Sequence, residues 1–192
     1  SLSLSRVFFN GSRDPVASGR ARVAMERAIA LNPNLPAGHL AAATYYGLVA
    51  PDPDRAAAAV NRSLQLAPND AEVLGMAARA DLSAGRIDAA TAKLERAREI
   101  DPRSSSTLAA LQQVYLFQRR FREATDAGQA AVLLTPDDLN LNEWQAIVYL
   151  AQGDLKGAQY AFQRVTEAEP DYADGWINVA RALIQEGQTE AA

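Results

Sequence analysis

Apolar residues recur at helical spacing over short stretches of the chain, and each stretch stops before a proline. Between residues 87 and 100, Ala90, Leu94, Ala97 and Ile100 are three or four positions apart and form one stripe. Pro102 follows, and proline lacks the backbone N–H that a continuing helix needs. The pattern predicts short amphipathic α-helices separated by tight turns, without strands.

Five prolines of this kind are evenly spaced: Pro33, Pro68, Pro102, Pro136 and Pro170. Their separations are 35, 34, 34 and 34 residues. So constant a period indicates an internal repeat.

A second break divides each period into two helices. Gly85, Gly153 and Gly187 occupy equivalent places, and glycine permits a tight turn between helices. After Pro68, Asn69 and Glu72 are spaced as a capping box for the next helix. One period is therefore a helix hairpin, and stacked hairpins bury apolar faces that no single hairpin can bury alone.

The pattern resembles the tetratricopeptide repeat, whose consensus is W-x₂-L-G-x₂-Y in the first helix and A-x₃-F…P in the second. The second helices match at Ala56 and Val60, Ala90 and Leu94, and Ala158 and Phe162; the first helices match at Leu108, Leu111 and Tyr115, and at Trp176, Val179 and Ala180. Gly128 departs from the consensus, because a bulky residue is expected there. The resemblance implies an all-α, right-handed solenoid of stacked antiparallel helix hairpins.

The period divides a single solenoid domain, residues 1–192, into segments. Full repeats are expected at 36–70, 71–104, 105–138 and 139–172, the first with one extra residue in the turn 48–54. Residues 1–35 are expected to form an irregular hairpin whose second helix starts near Arg20, after a loop through Gly19. Residues 173–192 are an incomplete repeat, interpreted either as a truncation or as an end that another subunit covers.

Composition and charge argue against several functional classes. The net charge of −4 does not favour a nucleic-acid partner, and the absence of cysteine excludes thiolate metal sites and disulfides. No apolar run approaches the roughly 18 residues that span a bilayer. A single histidine, His39, and dispersed carboxylates indicate structural roles rather than catalysis. We therefore expect no enzyme activity, no cofactor, no metal and no membrane insertion.

One basic cluster, Arg119, Arg120 and Arg122, lies at an expected turn between helices. A solvated surface and a site for an anion or acidic partner are the two interpretations.

Residues one period apart form rows along the first helices of the hairpins. In proteins that this chain resembles, the first helices line a concave groove that holds partner segments. Long, polar or aromatic members of these rows are candidate partner contacts: Arg79, Gln113, Glu143, Trp144, Asn178 and Arg181. Packing within the core is the alternative for each, above all for Trp144.

The main functional hypothesis is a non-catalytic scaffold that binds a peptide or protein in its groove. One alternative is a regulatory region of a larger bacterial serine/threonine kinase or transcriptional regulator, because "DPRS" and "YLFQRRFREA" resemble repeat regions of such proteins. The other alternative is self-assembly through the C-terminal end. A cytoplasmic location is expected, or an extracytoplasmic one if the parent protein is membrane-anchored.

Overall fold

Short α-helices joined by tight turns make up the part of the chain that the computed structural model describes, residues 15–185 and Gly187. Ten helices lie in this part: α1 Pro15–Leu31, α2 Pro36–Thr44, α3 Pro53–Leu66, α4 Ala71–Ser83, α5 Ile87–Ile100, α6 Ser105–Phe117, α7 Phe121–Leu134, α8 Leu139–Gln152, α9 Leu155–Ala168 and α10 Ala173–Gln185. A π-helical turn, Tyr45–Val49, continues α2. The described residues contain no strand, and the predicted all-α fold is confirmed.

The periodic prolines mark the helix ends in the same way each time. Helices α1, α3, α5, α7 and α9 all end two residues before one of them. The residue between helix and proline leaves the helical conformation, as at Thr135 with φ −139° and ψ 73°, because proline disfavours a helical predecessor.

The expected start of the first described helix was wrong. Helix α1 begins at Pro15, so residues 15–19, expected in a loop, are helical; proline suits the first turn of a helix, where its missing N–H is not needed. The remainder of the expected leading hairpin, residues 1–14, lies outside the described residues.

Asp70, rather than Asn69, caps α4. Its Oδ1 accepts hydrogen bonds from the N–H groups of Glu72 at 2.9 Å and Val73 at 3.0 Å. The helix therefore starts one residue later than the capping-box pattern indicated, and a carboxylate satisfies two of its free amide groups.

The chain divides into two compact units, residues 1–100 and 101–192. In the first, α2 packs on α3 and α4 on α5, as hairpins, and α3 packs on α4. Its core is rich in small residues: Met25, Ala42, Ala43, Tyr45, Ala59, Val60 and Ala77. Alanine at the contacts lets neighbouring helices approach closely.

The π turn accommodates an extra residue. At the end of α2, the N–H of Asp52 donates to Tyr46 O at 2.8 Å, across six residues. At the end of α4, the equivalent bond from Arg86 N to Asp81 O, also 2.8 Å, spans five. The additional residue thus lies between Tyr46 and Asp52, and a π turn absorbs one residue without breaking the helix.

In the second unit, α6 packs on α7 and α8 on α9, while α8 also contacts α6 and α7, and α10 contacts α9. Its core includes two hydrophobic clusters. One contains Leu108, Ala131 and Leu141, and the other Ala146, Ala158, Ala161, Phe162 and Val179.

The turns inside the hairpins have left-handed backbones at equivalent residues, 34 positions apart. Gly85, Gly153 and Gly187 have φ values of 73°, 80° and 78°. The remaining residue of this series, between Gly85 and Gly153, is Arg119, with φ 59°. Glycine adopts this conformation without steric cost, whereas arginine adopts it at a steric cost because of its Cβ.

Three of the first helices, α2, α8 and α10, are anchored to the preceding proline. The side chains of His39 and Trp176 each have a ring nitrogen 2.8 Å from the carbonyl oxygen of the proline six residues earlier, Pro33 and Pro170. Asn142 Nδ2 donates equivalently to Pro136 O at 3.3 Å. The contact of His39 is therefore one of a repeated structural set of hydrogen bonds.

Candidate partner-binding surface

All six candidate contacts lie on first helices of hairpins. Arg79 is on α4, in the first unit; Gln113 is on α6, Glu143 and Trp144 are on α8, and Asn178 and Arg181 are on α10. The two arginines are exposed and the other four side chains are half-buried.

Glu143 and Asn178 are brought together. Asn178 Nδ2 donates to Glu143 Oε1 at 3.4 Å. Tyr172 Oη, from the turn before α10, donates to the two carboxylate oxygens at 3.3 and 3.4 Å. The carboxylate is therefore held between α8 and α10. Sequence reasoning missed Tyr172, because a turn residue carries no helical periodicity.

The first helices of the second unit also expose large apolar side chains. Phe117 at the end of α6 is 57% exposed, and Ile177 and Ile184 on α10 are 47% and 56% exposed. Ile177, Arg181 and Ile184 are spaced by four and three residues and so share one face of α10. Ile147, by contrast, packs partly against the core around Phe162.

A buried amide pair lies behind this surface. Gln112 on α6 donates from Nε2 to Gln145 Oε1 on α8 at 2.8 Å, and both side chains are buried. A Cβ built on Gly128 would overlap with both bonded atoms and lie 2.6 Å from Gln112 Cδ. The space of the bulky consensus residue is thus occupied by the two amides.

The amide pair fills the volume that a larger side chain at position 128 would occupy. The positions equivalent to Gln112, 34 residues away, are occupied by Ala78 and Ala146, and those equivalent to Gly128 by Leu94 and Phe162. A larger first-helix residue therefore accompanies a smaller second-helix one. Gln112 Oε1 and Gln145 Nε2 are buried, and neither has a hydrogen-bond partner in the part of the chain that the structure describes.

In the first unit, Asp81 accepts hydrogen bonds from two cationic side chains. Arg86 donates to its Oδ1, from Nε at 2.8 Å and Nη2 at 2.7 Å, and Lys93 Nζ donates to its Oδ2 at 2.6 Å. Burial acts to raise the pKa of Asp81, but the hydrogen bonds from Lys93 and Arg86 outweigh it, so its pKa is lowered. The contacts lie within one hairpin, between α4 and α5, and stabilise it.

Within residues 15–185, no cluster of three or more histidine or acidic side chains is arranged to hold a metal ion. None of the described helices combines the length and apolarity required to cross a bilayer.

The sequence profile of the tetratricopeptide repeat matches residues 50–115 and 149–192, more than half of the chain. The chain belongs to the tetratricopeptide repeat family. This assigns the periodic prolines and hairpins of the fold to a known architecture. A search of the curated proteins finds no similar sequence.

Solved structures of other tetratricopeptide repeat proteins share the fold. PilW, described as a type IV pilus biogenesis factor, superposes with a TM-score of 0.83 at 18% identity, over 97% of this chain and 86% of PilW. YrrB, described as having an unusual peptide-binding site, gives 0.69 at 21% identity, over 85% and 84%. A thermophilic family member from Thermus thermophilus gives 0.68 at 20%, over 88% and 93%.

Proposed function

We propose that the chain is a non-catalytic scaffold that binds an extended segment of a protein partner along its first helices. The observation that carries the proposal is the carboxylate of Glu143, fixed by Tyr172 and by Asn178 at a half-exposed position between α8 and α10. A charge held in place loses little side-chain entropy when a partner binds.

Exposed apolar side chains on the same set of helices support the proposal. Phe117 and Ile177 offer contact area of the kind that dominates the binding free energy of protein interfaces. YrrB, which has this fold, is described as having a peptide-binding site. The proposed partner segment therefore combines apolar side chains with polar groups that reach Glu143 and Arg181.

The test begins with selection of peptides from a displayed random library on the purified chain. Affinities of the selected peptides are then measured for Glu143→Lys, Arg181→Glu and, in the first unit, Arg79→Glu. Matched charge changes away from the first helices are Glu167→Lys on α9 and Arg103→Glu in the turn before α6, both exposed.

We expect at least one of the first-helix changes to weaken binding about tenfold or more, with unchanged helicity by circular dichroism. The two control changes should remain within about twofold of the original affinity. Equal effects of control and first-helix changes, or no effect of either, would contradict the proposal.

A second candidate function, self-association, is favoured by one feature of α10. Trp176, Ile177 and Ile184 are all about half exposed on the last described helix, and grouped apolar side chains often mark interfaces. Light scattering over a hundredfold range of protein concentration distinguishes the two, since a persistent monomer removes self-association.

A further inference from the structure

The turn between α6 and α7 departs from the other turns of its kind. Its left-handed residue is Arg119, with φ 59°, whereas Gly85, Gly153 and Gly187 occupy the equivalent positions. For a residue with a Cβ this conformation is sterically unfavourable, and glycine at the same place would avoid it. Residues that break a local rule which their equivalents obey are concentrated at functional sites.

Three arginines occupy this turn and the start of α7, and we name Arg119, Arg120 and Arg122 the arginine turn. Arg119 and Arg122 are exposed, and Arg120 is half-buried. Within the described residues, no hydrogen bond or ion pair engages the guanidinium groups of Arg119 and Arg122, and Arg122 has only a longer-range electrostatic interaction with Glu123. Both are therefore available to a partner.

Aromatic rings and an ion pair order two of these side chains. The guanidinium carbon of Arg119 lies 5.5 Å from the centroid of the Phe121 ring, and that of Arg120 lies 4.3 Å from the Tyr115 ring. Arg120 also pairs with Glu123 at 3.0 Å. Cation–π contacts of this geometry restrict long side chains before binding, which reduces the entropy lost when a partner arrives.

The charge of the second unit makes the turn distinctive. Residues 101–192 contain 7 basic and 13 acidic residues, a net charge of −6, and three of the seven basic residues are in the arginine turn. The surrounding negative charge disfavours a long polyanion such as a nucleic acid, whose binding requires an extended basic surface. A short acidic segment needs only the local cluster.

We propose that the arginine turn binds an acidic segment of a partner protein, in which carboxylates pair with the guanidinium groups of Arg119 and Arg122. Arginine suits this role because its planar group can donate two parallel hydrogen bonds to one carboxylate. Arg120, held by Tyr115 and Glu123, keeps the turn in place. This site lies on a turn rather than on the first helices, and it does not depend on the function proposed above.

The experiment measures fluorescence anisotropy of a labelled ten-residue peptide of alternating glutamate and serine, at low and at physiological salt. The reference is the same peptide with glutamine in place of glutamate. Variants of the full chain are Arg119→Gly and Arg122→Gln, and the matched control is Arg103→Gln, an exposed arginine of the same unit.

We expect the chain to bind the glutamate peptide and not the glutamine peptide, and each arginine-turn variant to lose roughly tenfold in affinity. Arg103→Gln should stay within about twofold. Arg119→Gly has a diagnostic second effect: the urea midpoint of unfolding rises while affinity falls, because glycine relieves the backbone and removes the charge.

Four results would each overturn the proposal. They are equal binding of both peptides, a loss with Arg103→Gln as large as with Arg122→Gln, unchanged affinity in Arg119→Gly, and displacement of the peptide by 10 mM inorganic phosphate. The last would identify a small-anion site instead. Tighter binding of a labelled DNA duplex than of the peptide would likewise contradict an acidic protein segment.

Discussion

Alanine at position 128 is expected to destabilise the protein, although alanine normally strengthens a helix. In an open helix interior, replacing glycine with alanine gains about 1 kcal/mol. Gly128 is buried inside α7, and its missing side chain leaves room for the hydrogen-bonded amides of Gln112 and Gln145. The new methyl group must push these amides apart.

The magnitude follows from the contacts. Separating the amides leaves Gln112 Nε2 and Gln145 Oε1 buried without their hydrogen bond, at about 1–3 kcal/mol for each unsatisfied group. Overpacking adds a cost of similar size if the helices cannot move apart. The two unsatisfied groups together cost about 2–6 kcal/mol, so after subtraction of the helix gain we expect the free energy of unfolding to fall by about 1–5 kcal/mol before any overpacking cost. Gly75→Ala is the matched control, because a Cβ there meets no atom of the described residues within 4 Å; it should gain about 1 kcal/mol.

The assay is urea unfolding followed by circular dichroism at 222 nm and by tryptophan fluorescence. Trp144 and Trp176 both lie in the second unit, with Gly128, so fluorescence reports on the unit that carries the change. With a slope of about 2 kcal/mol per molar urea, the fluorescence midpoint of Gly128→Ala should fall by about 0.5–2.5 M.

A stabilising effect of Gly128→Ala equal to that of Gly75→Ala would refute the reasoning, since the amides would then not occupy the space beside position 128. A rescue strengthens the test. Combining Gly128→Leu with Gln112→Ala and Gln145→Leu installs the residue types found one period earlier, at Leu94, Ala78 and Leu111. This triple variant should regain at least the original stability, because it also removes two unsatisfied polar atoms.

Asp81→Asn should cost on the order of 2 kcal/mol in urea unfolding at pH 7. Because the pKa of Asp81 is lowered on folding, its contribution to stability is present above the usual carboxyl pKa and is lost as pH falls through the folded value. The variant should therefore lose less stability on acidification than the original chain. Gly153→Ala should destabilise by about 1 kcal/mol, because it places a Cβ at φ 80°; Arg119→Gly should stabilise by about 0.5–1 kcal/mol, and thermal unfolding showing the same sign for both would contradict this assignment. Trp176→Phe should cost about 1 kcal/mol through loss of the hydrogen bond to Pro170 O, and an unchanged urea midpoint would count against that bond.

The helices could be predicted from the sequence because their ends depend on covalent properties of proline and glycine. A missing N–H at Pro102 and the free φ of Gly153 act locally, whatever the rest of the chain does. Asp70 was missed as a cap because Asn69 beside it has equivalent chemistry. Which of the two begins the helix depends on how the hairpin packs.

The candidate surface was predictable only in part. Counting in periods placed Glu143 and Asn178 on first helices of successive hairpins, where the structure joins them by a hydrogen bond. Tyr172, from a turn, had no signal of this kind. The amide pair was visible only as an anomaly at Gly128, and its explanation required comparing Gln112 with the alanines one period away.

The Gln112–Gln145 bond has a consequence for how such a chain can evolve or be engineered. Repeat proteins commonly lengthen or shorten by duplication or loss of whole hairpins, which works when every junction between hairpins is alike. Here the junction of α6–α7 with α8 depends on a matched set of three residues. A hairpin inserted or deleted at this point would leave one glutamine facing a residue of the wrong size, so we expect this junction to tolerate such a change less well than a junction without the pair.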